Sequence, residues 1–402
     1  MTGPSEGHSP GPHHRHLPAG VWALGGVSLL MDMSSEMIHS LLPIFLVAVL
    51  GASASAVGAI EGIAEATASL TKVFSGALSD RLGRRKHLAL AGYALAALTK
   101  PLFALAATPL WVLGARFVDR LGKGIRGAPR DALIADLTPA DMRGAAFGLR
   151  QSLDTIGAVA GPLIAAGLMA VTQSNYRLVF WIAVVPALAS VALLAGGVRE
   201  PVTSARAVER LPLKAEDLRR LGSRFWATIG LAAILALARY SEAFLLLRAQ
   251  DLGMSAVSTP LVLVVMNVVY ALAAYPAGRL SDRLGDRIGL VFAGAAVYVV
   301  ANLVLAFAGN VETVLLGVAL WGLHLGLTQG LLAGLVADTV PAALRGTAFG
   351  VFHCVTGLAL LPASLIAGLA WDIYGPAAPF AIGAGLVVAA VPGLATLTRR
   401  RR

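Results

Sequence analysis

The chain has a single cysteine, Cys354, so no internal disulfide can brace it, and within an apolar segment that thiol reads as a small packing group. Charge is scarce: 13% of the 402 residues are charged while 57% are apolar, which excludes a soluble surface of ordinary composition. Short alternating strands are missing, which argues against a β-barrel. The start lacks the basic stretch, apolar core and small-residue cleavage site of a secretory leader. Residues 1–18 instead set Pro4, Pro10, Pro12 and Pro18 among His8, His13, His14 and His16, the composition of a disordered tail. Phosphate-binding glycine loops, nucleophile elbows and metal-ligand clusters are also missing, so no enzyme, resident metal or cofactor is expected. Gly122 to Gly124 read GKG, but without the spacing or the following Ser or Thr of a phosphate loop.

Long apolar runs are what the chain does have. A membrane span needs about 20 such residues, and twelve segments qualify, at 20–50, 55–79, 87–107, 110–136, 145–171, 178–198, 225–248, 256–280, 288–308, 313–338, 345–370 and 376–397. The predicted fold is an all-α membrane protein with twelve transmembrane helices, its 44 glycines suiting close helix contact in lipid. Basic residues fall in alternate turns: Arg81, Arg84, Arg85 and Lys86, then six from Arg199 to Arg220, then Arg399 to Arg402. The opposite turns near Ala52, Thr108 and Asn310 have none, which predicts cytoplasmic termini. The net charge of +10 is then topogenic, and no nucleic-acid partner is expected.

One stretch occurs twice. GALSDRLGRRK at Gly76 to Lys86 returns as GRLSDRLGDR at Gly278 to Arg287, and an offset of 202 residues also relates Asp136 to Asp338, Arg143 to Arg345 and Gly148 to Gly350. A duplication explains this. The expected division is a tail (1–18), a six-helix bundle (19–198), a cytoplasmic linker rich in charge (199–223), a second bundle (224–397) and a basic tail (398–402), the two pseudo-symmetric bundles enclosing a central cavity.

Charge inside the membrane is concentrated in the first half. Asp32, Ser35, Glu36 and His39 share one face of the first helix, with Asp32 roughly 16 Å deep. Carboxylates at that depth are costly unless paired or hydrated, which makes Asp32 and Glu36 candidate proton carriers. In the second helix, Glu61 is expected near water, Glu65 and Lys72 to need partners, and Lys100 in the third to snorkel outward. The fourth helix places Arg116, Asp119, Arg120, Lys123, Arg126, Arg130 and Asp131 within an arc of about 140°. Such a face must line a cavity or meet the acids of neighbouring helices. Arg116, Asp119, Arg120 and Lys123 are the candidate coupling network, with eight intramembrane bases nearly balanced by seven acids. Gly157, Gly161 and Pro162 form a candidate hinge in the fifth helix, the glycines allowing close approach. The second half keeps only Arg239 and Glu242, expected to pair, with Asn267, Asn302, Gln329, His324 and His353.

The repeated turn resembles the signature between the second and third helices of the major facilitator superfamily, matched at Gly76, Leu78, Asp80, Arg81, Gly83, Arg84 and Arg85. RLGKGIRGA from Arg120 is similar to that family's fourth-helix motif at Arg120 and Gly124, departing at Lys123 and Arg126, and GAVAGP at Gly157 resembles a motif of proton-coupled exporters. The resemblance implies a monomeric secondary transporter of a bacterial inner membrane that moves a small molecule against protons by alternating access. It further implies a cytoplasmic gate at Gly76, Asp80, Arg81, Gly83, Arg84, Arg85, Asp282 and Arg283, in which Asp80 meets the helix start near Arg345, and Asp282 the one near Arg143. Excess positive charge on the fourth helix leaves an organic-anion or phosphate exchanger without proton coupling as a second reading. A transport-inactive sensor or scaffold is a third.

Overall fold

The computed structural model describes residues 17–82, 84–199, 215–341 and 344–399. Gly83 and most of the N-terminal tail, the linker and the last residues lie outside these, as do the side chains of Asp80 and Arg81. Every regular element among the described residues is helical. The chain runs through α1 (Ala19–His39), α2 (Leu42–Ile44, continued by a π turn to Val49), α3 (Ala54–Leu82), α4 (Arg85–Ala104), α5 (Pro109–Leu137), α6 (Arg143–Val171), α7 (Tyr176–Ile182) and α8 (Val184–Gly197). After α9 (Ala215–Arg220) come α10 (Ser223–Ala238), α11 (Ala243–Asp251), α12 (Leu261–Leu284), α13 (Arg287–Ala306), α14 (Val311–Asp338), α15 (Arg345–Tyr374) and α16 (Ala378–Arg399). Each of the twelve apolar segments is therefore helical. Eight helical stretches are long and apolar enough to cross a membrane by length and composition. Helices α3, α4 and α5 are set apart from them by the intramembrane charge already noted.

The 202-residue offset reappears in three dimensions. It carries α4 onto α13 end for end, the starts of α5 and α6 onto those of α14 and α15, and the cap Thr108 onto the cap Asn310, each accepting from a backbone N–H of the following turn. Arg85 pairs with Asp136 at 2.5 Å, and the equivalent Arg287 pairs with Asp338. The carbonyls at the end of α4, Ala104 and Ala106, accept from Arg177, and their equivalents Ala306 and Ala308 accept from Arg248. These arginines come from non-equivalent helices, so the need to satisfy a buried helix end is repeated while the residue meeting it is not.

Small residues set the close crossings. A methyl group at Gly92 would lie 2.8 Å from the Gly122 carbonyl oxygen, fixing α4 against α5 backbone to backbone. At Gly157 and Gly161 it would come within 2.8 Å of the α1 backbone at Leu29 and Met33, so this pair seats α1 at the turns bearing Asp32 and Glu36. Helix α6 is continuous through Pro162. Gly285, which ends α12 with φ +65°, occupies the left-handed region that favours glycine, so the turn can follow at once.

The halves meet along α3 and α15, which run antiparallel. The Asp372 carboxylate accepts from the backbone N–H groups of Ala54 and Ser55 at 3.0 and 2.9 Å, a favourable place for an anion at a helix start. Gly368, Gly58, Gly62 and Gly357 then lie against Ser55, Ser364, Leu361 and Ser69 in turn. Beyond Ser69 this close approach does not recur: Gly346, three turns before Gly357 on the same face of α15, has open space for a side chain. Likewise α6 meets α12 where Asn267 donates to the Ala158 carbonyl, while Arg143, Gly144 and Gly148 stand exposed. The molecule is closed between the halves at the Ala54 end and open at the end carrying the repeated basic turns.

Candidate functional site

The first helix of each half is broken, and at equivalent positions. Helix α1 stops at His39 before α2 begins at Leu42, and α10 stops at Ala238 before α11 begins at Ala243, the 202-residue equivalent of Leu41. Pro43 accompanies the first break; the second has neither Pro nor Gly. It is held open by Tyr298, whose hydroxyl donates to the Ala238 carbonyl at 2.6 Å, and by Ser364, which accepts from the Ser241 N–H at 3.1 Å. Paired interruptions of this kind expose backbone beside a cavity at the interface of two repeats. A cavity of about 220 Å³ lies there, lined by Glu36, His39, Glu61, Glu65, Arg116, Arg120 and Lys123 from the first half and Arg239, Tyr240, Ser241 and Glu242 from the second.

The network around it begins with buried ion pairs. Lys100 is fully buried and donates to Asp119 at 2.9 Å and to Ser35 at 3.0 Å; it does not snorkel, because α5 places a carboxylate beside it. Glu61 is buried too, accepting twice from Arg116, at 2.6 and 3.1 Å, so the expectation of a solvated Glu61 gives way to a bidentate pair. Arg120 pairs with Glu65 at 3.3 Å, and Asp32 lies 3.7 Å from Arg126, whose guanidinium covers the Tyr93 ring. Deeper in the half, Arg130 and Arg150 bridge Asp131 and Asp154.

His39 sits between these pairs and Glu36. Its Nε2 faces an N–H of Arg116, and Arg120 lies 3.3 Å from both ring nitrogens, so the imidazole accepts from the guanidinium pair and is neutral, with Nδ1 3.5 Å from Glu36. Glu36 thus has a neutral imidazole for a neighbour where Asp32, Glu61 and Glu65 have guanidinium groups. Lys123, exposed to the cavity, has no hydrogen-bond or ion-pair partner among the described residues, and neither do Arg239 and Glu242. The expected Arg239–Glu242 pair does not form because the break between α10 and α11 takes both off a common helical face.

The structure places Gly76, Arg84, Arg85, Asp282 and Arg283 at the open end, remote from this cavity. Asp282 pairs at 3.2 Å with Arg287 of its own half, and not with the helix start at Arg143, since the halves are apart there. Arg84 and Arg283 are exposed.

Among the described residues of the second half the ionic network has no counterpart. The offset places Asn302 where Lys100 stands and Trp321 where Asp119 stands, and both are buried with Tyr240 and Tyr298 in an aromatic cluster, Tyr240 donating to Asn302 at 2.8 Å. Tyr240 and the second break escaped the sequence reading; the substitution of Asn and Trp for the Lys–Asp pair is the signal that could have found them.

Comparisons with known proteins agree with this architecture. The Major Facilitator Superfamily model matches residues 24–247 and 229–402. An uncharacterized MFS-type transporter of Methanocaldococcus jannaschii is 33% identical over 95% of each chain, and the class C tetracycline resistance protein of Escherichia coli is 29% identical over 79% of this chain and 81% of its own. The multidrug resistance protein MdtH of Photorhabdus laumondii is 34% identical over 38% of this chain and 37% of its own. Among solved structures, the nucleoside transporter NupG superposes with a TM-score of 0.78 at 14% identity, covering 94% of this chain and 98% of its own. A two-fold internal repeat, paired broken helices around a charged cavity and a family match spanning the described halves lead to one conclusion: this chain belongs to the major facilitator superfamily and is a membrane transporter of that family.

Proposed function

We propose that the protein is a proton-coupled exporter of a small molecule, with twelve spans in two six-helix bundles and both termini in the cytoplasm of a bacterial cell. Its basic-turn end is then cytoplasmic, and the open conformation is the one that loads cargo from inside. Export is the direction that fits relatives that are tetracycline and multidrug resistance proteins. Proton coupling rests on one observation above all. Glu36 lines the cavity beside a neutral histidine while the neighbouring carboxylates are held by guanidinium groups, which leaves it the acid most available to exchange a proton with water in the cavity.

Asp32, one turn away and nearer Arg126, is the second carrier, and Arg120 and Lys123 link the carriers to the cargo. A proton arriving on Glu36 removes a carboxylate from the cavity wall that faces the cargo, which weakens cargo binding and favours release before the halves rock back. The test uses the full-length protein in proteoliposomes with a pH-sensitive dye inside. Adding a transported compound to one side is expected to drive proton movement in the wild type and none in Glu36→Gln. Cargo flux indifferent to a proton gradient in both proteins would overturn the coupling and favour anion exchange, for which the unpartnered Lys123 and Arg239 are the supporting observation.

A further inference from the structure

A second cavity, of about 280 Å³, lies wholly within the second half between α10, α14 and α15. Its walls include Leu235, Leu332, Ala333, Phe352 and Thr356, and Arg239 is the charged side chain that borders both cavities. The duplication explains why it exists. Moving back by 202 residues takes Leu332, Ala333, Phe352 and Thr356 of this cavity to Arg130, Asp131, Arg150 and Asp154, an interlocked ion network, and Thr328 to Arg126, which pairs with Asp32. Long charged side chains have been replaced by short or apolar ones. Space lined mainly by carbon is left where the other half is solid.

The charged cavity next to it has its own remainder. Arg116–Glu61 and Arg120–Glu65 close on themselves. What is left is two acids, Glu36 and Glu242, and two bases, Lys123 and Arg239, with no ion pair among the four. Unpaired charges at this depth are expensive and mark a site that a ligand completes. A ligand of one sign would satisfy half of the four and leave the other half bare. A ligand bearing both signs satisfies both.

We propose that the cargo is a small zwitterion with an apolar body: its carboxylate is taken by Arg239 with Lys123, its ammonium by Glu242 with Glu36, and its body enters the second cavity past Arg239. This rests on the transport reading above for calling the ligand a cargo, but the binding claim stands on the two cavities themselves, whose combined size suits a small organic molecule.

The test compares phenylalanine with 3-phenylpropionate, phenylethylamine and glycine, which lack in turn the ammonium, the carboxylate and the apolar body. Binding to the purified full-length protein is read by calorimetry or ligand-induced thermal stabilisation at millimolar concentrations. Phenylalanine is expected to bind at least about tenfold more tightly than each of the other three, the ratio corresponding to one charged hydrogen bond or one buried body. Arg239→Gln is expected to abolish the advantage over phenylethylamine while leaving phenylethylamine binding unchanged. Glu242→Gln should do the same with respect to 3-phenylpropionate, so that each variant that binds one probe normally is known to be folded. Equal or tighter binding of either single-charge probe, glycine binding as well as phenylalanine, or no binding of phenylalanine at all would overturn the proposal. Counterflow in proteoliposomes separates the two claims. Binding of phenylalanine without its exchange across the bilayer contradicts transport and spares the site, whereas transport of some other compound that phenylalanine does not inhibit contradicts the site and spares transport.

Discussion

Replacing Lys100 with methionine is expected to destabilise the protein by about 3–5 kcal/mol, the cost of leaving a buried carboxylate without its partner. Lys100 has no exposed surface, and its ammonium donates to Asp119 and Ser35, so no water can take over when it is removed. Asp119 would retain Arg116 only at 3.9 Å, and Arg116 is already engaged twice by Glu61. The double variant Lys100→Met, Asp119→Asn removes both charges together and is expected to recover most of the loss, because what is costly is the uncompensated charge more than the missing pair. Reversible unfolding in mixed micelles, followed by circular dichroism, measures both. A single variant costing less than about 1 kcal/mol, or a double variant no more stable than the single, would contradict the role assigned to the pair.

The second large effect is conformational. Glycine 58 of α3 faces α15 so closely that a methyl group there would sit 2.1 Å from the Ser364 carbonyl oxygen, and backbone cannot fold out of the way as a flexible side chain would. Gly58→Val is therefore expected to wedge the halves apart at the end that Asp372 otherwise closes, while each half keeps its own core. Transport by this variant should fall by a factor of ten or more, about 1.4 kcal/mol or greater in the population of the state closed at the Ala54 end. Unfolding of the individual halves should be nearly unchanged. The readout is labelling of a cysteine introduced at Ser55 by a membrane-impermeant thiol reagent, which is expected to become fast in Gly58→Val. Slow labelling with normal transport would mean that the seam along α3 and α15 yields more easily than its packing implies.

Much of this architecture could be read from residues alone, for definite reasons. A membrane span is specified by length and apolarity, so every segment boundary fell within a few residues of a helical stretch, and the duplicated turn disclosed the pseudo-symmetry that the ion pairs Arg85–Asp136 and Arg287–Asp338 repeat. The helical arc on α5 was legible because a 100° rotation per residue needs no tertiary information. Partners were another matter. Lys100 lies near a helix end, where a lysine is expected to reach water, yet its environment is decided by Asp119 of α5, which α4 does not encode. Glu61 was misjudged for the same reason: Arg116, 55 positions later, reaches it. The break at Arg239 to Glu242 has no proline or glycine to announce it, since Tyr298, 60 residues on, supplies the hydrogen bond that a continuous helix would have made. Local physics is written locally. Pairing across helices is written in neither member.

The division of labour between the halves follows from the same contrast. The first half is braced by ion pairs that satisfy one another, with Glu36 and Lys123 outside those guanidinium–carboxylate pairs. The second replaces those charges by Asn302, Trp321 and a carbon-lined space beside Arg239, where shape can discriminate among ligands. A duplicated scaffold has thus kept its turns and diverged in its walls.

Alternating access gated by the protonation of Glu36 is tested most directly by distances at the two ends of the molecule, because they need no knowledge of the cargo. With Cys354 replaced by serine, spin labels at Ser53 and Tyr374 report the Ala54 end, and labels at Leu82 and Gly346 report the basic-turn end. In lipid, a change of pH is expected to shift the two distance distributions in opposite senses, one end opening as the other closes, and Glu36→Gln is expected to remove the pH response at both ends. Two distributions that move together, or that respond to pH equally in Glu36→Gln and the parent protein, would contradict it.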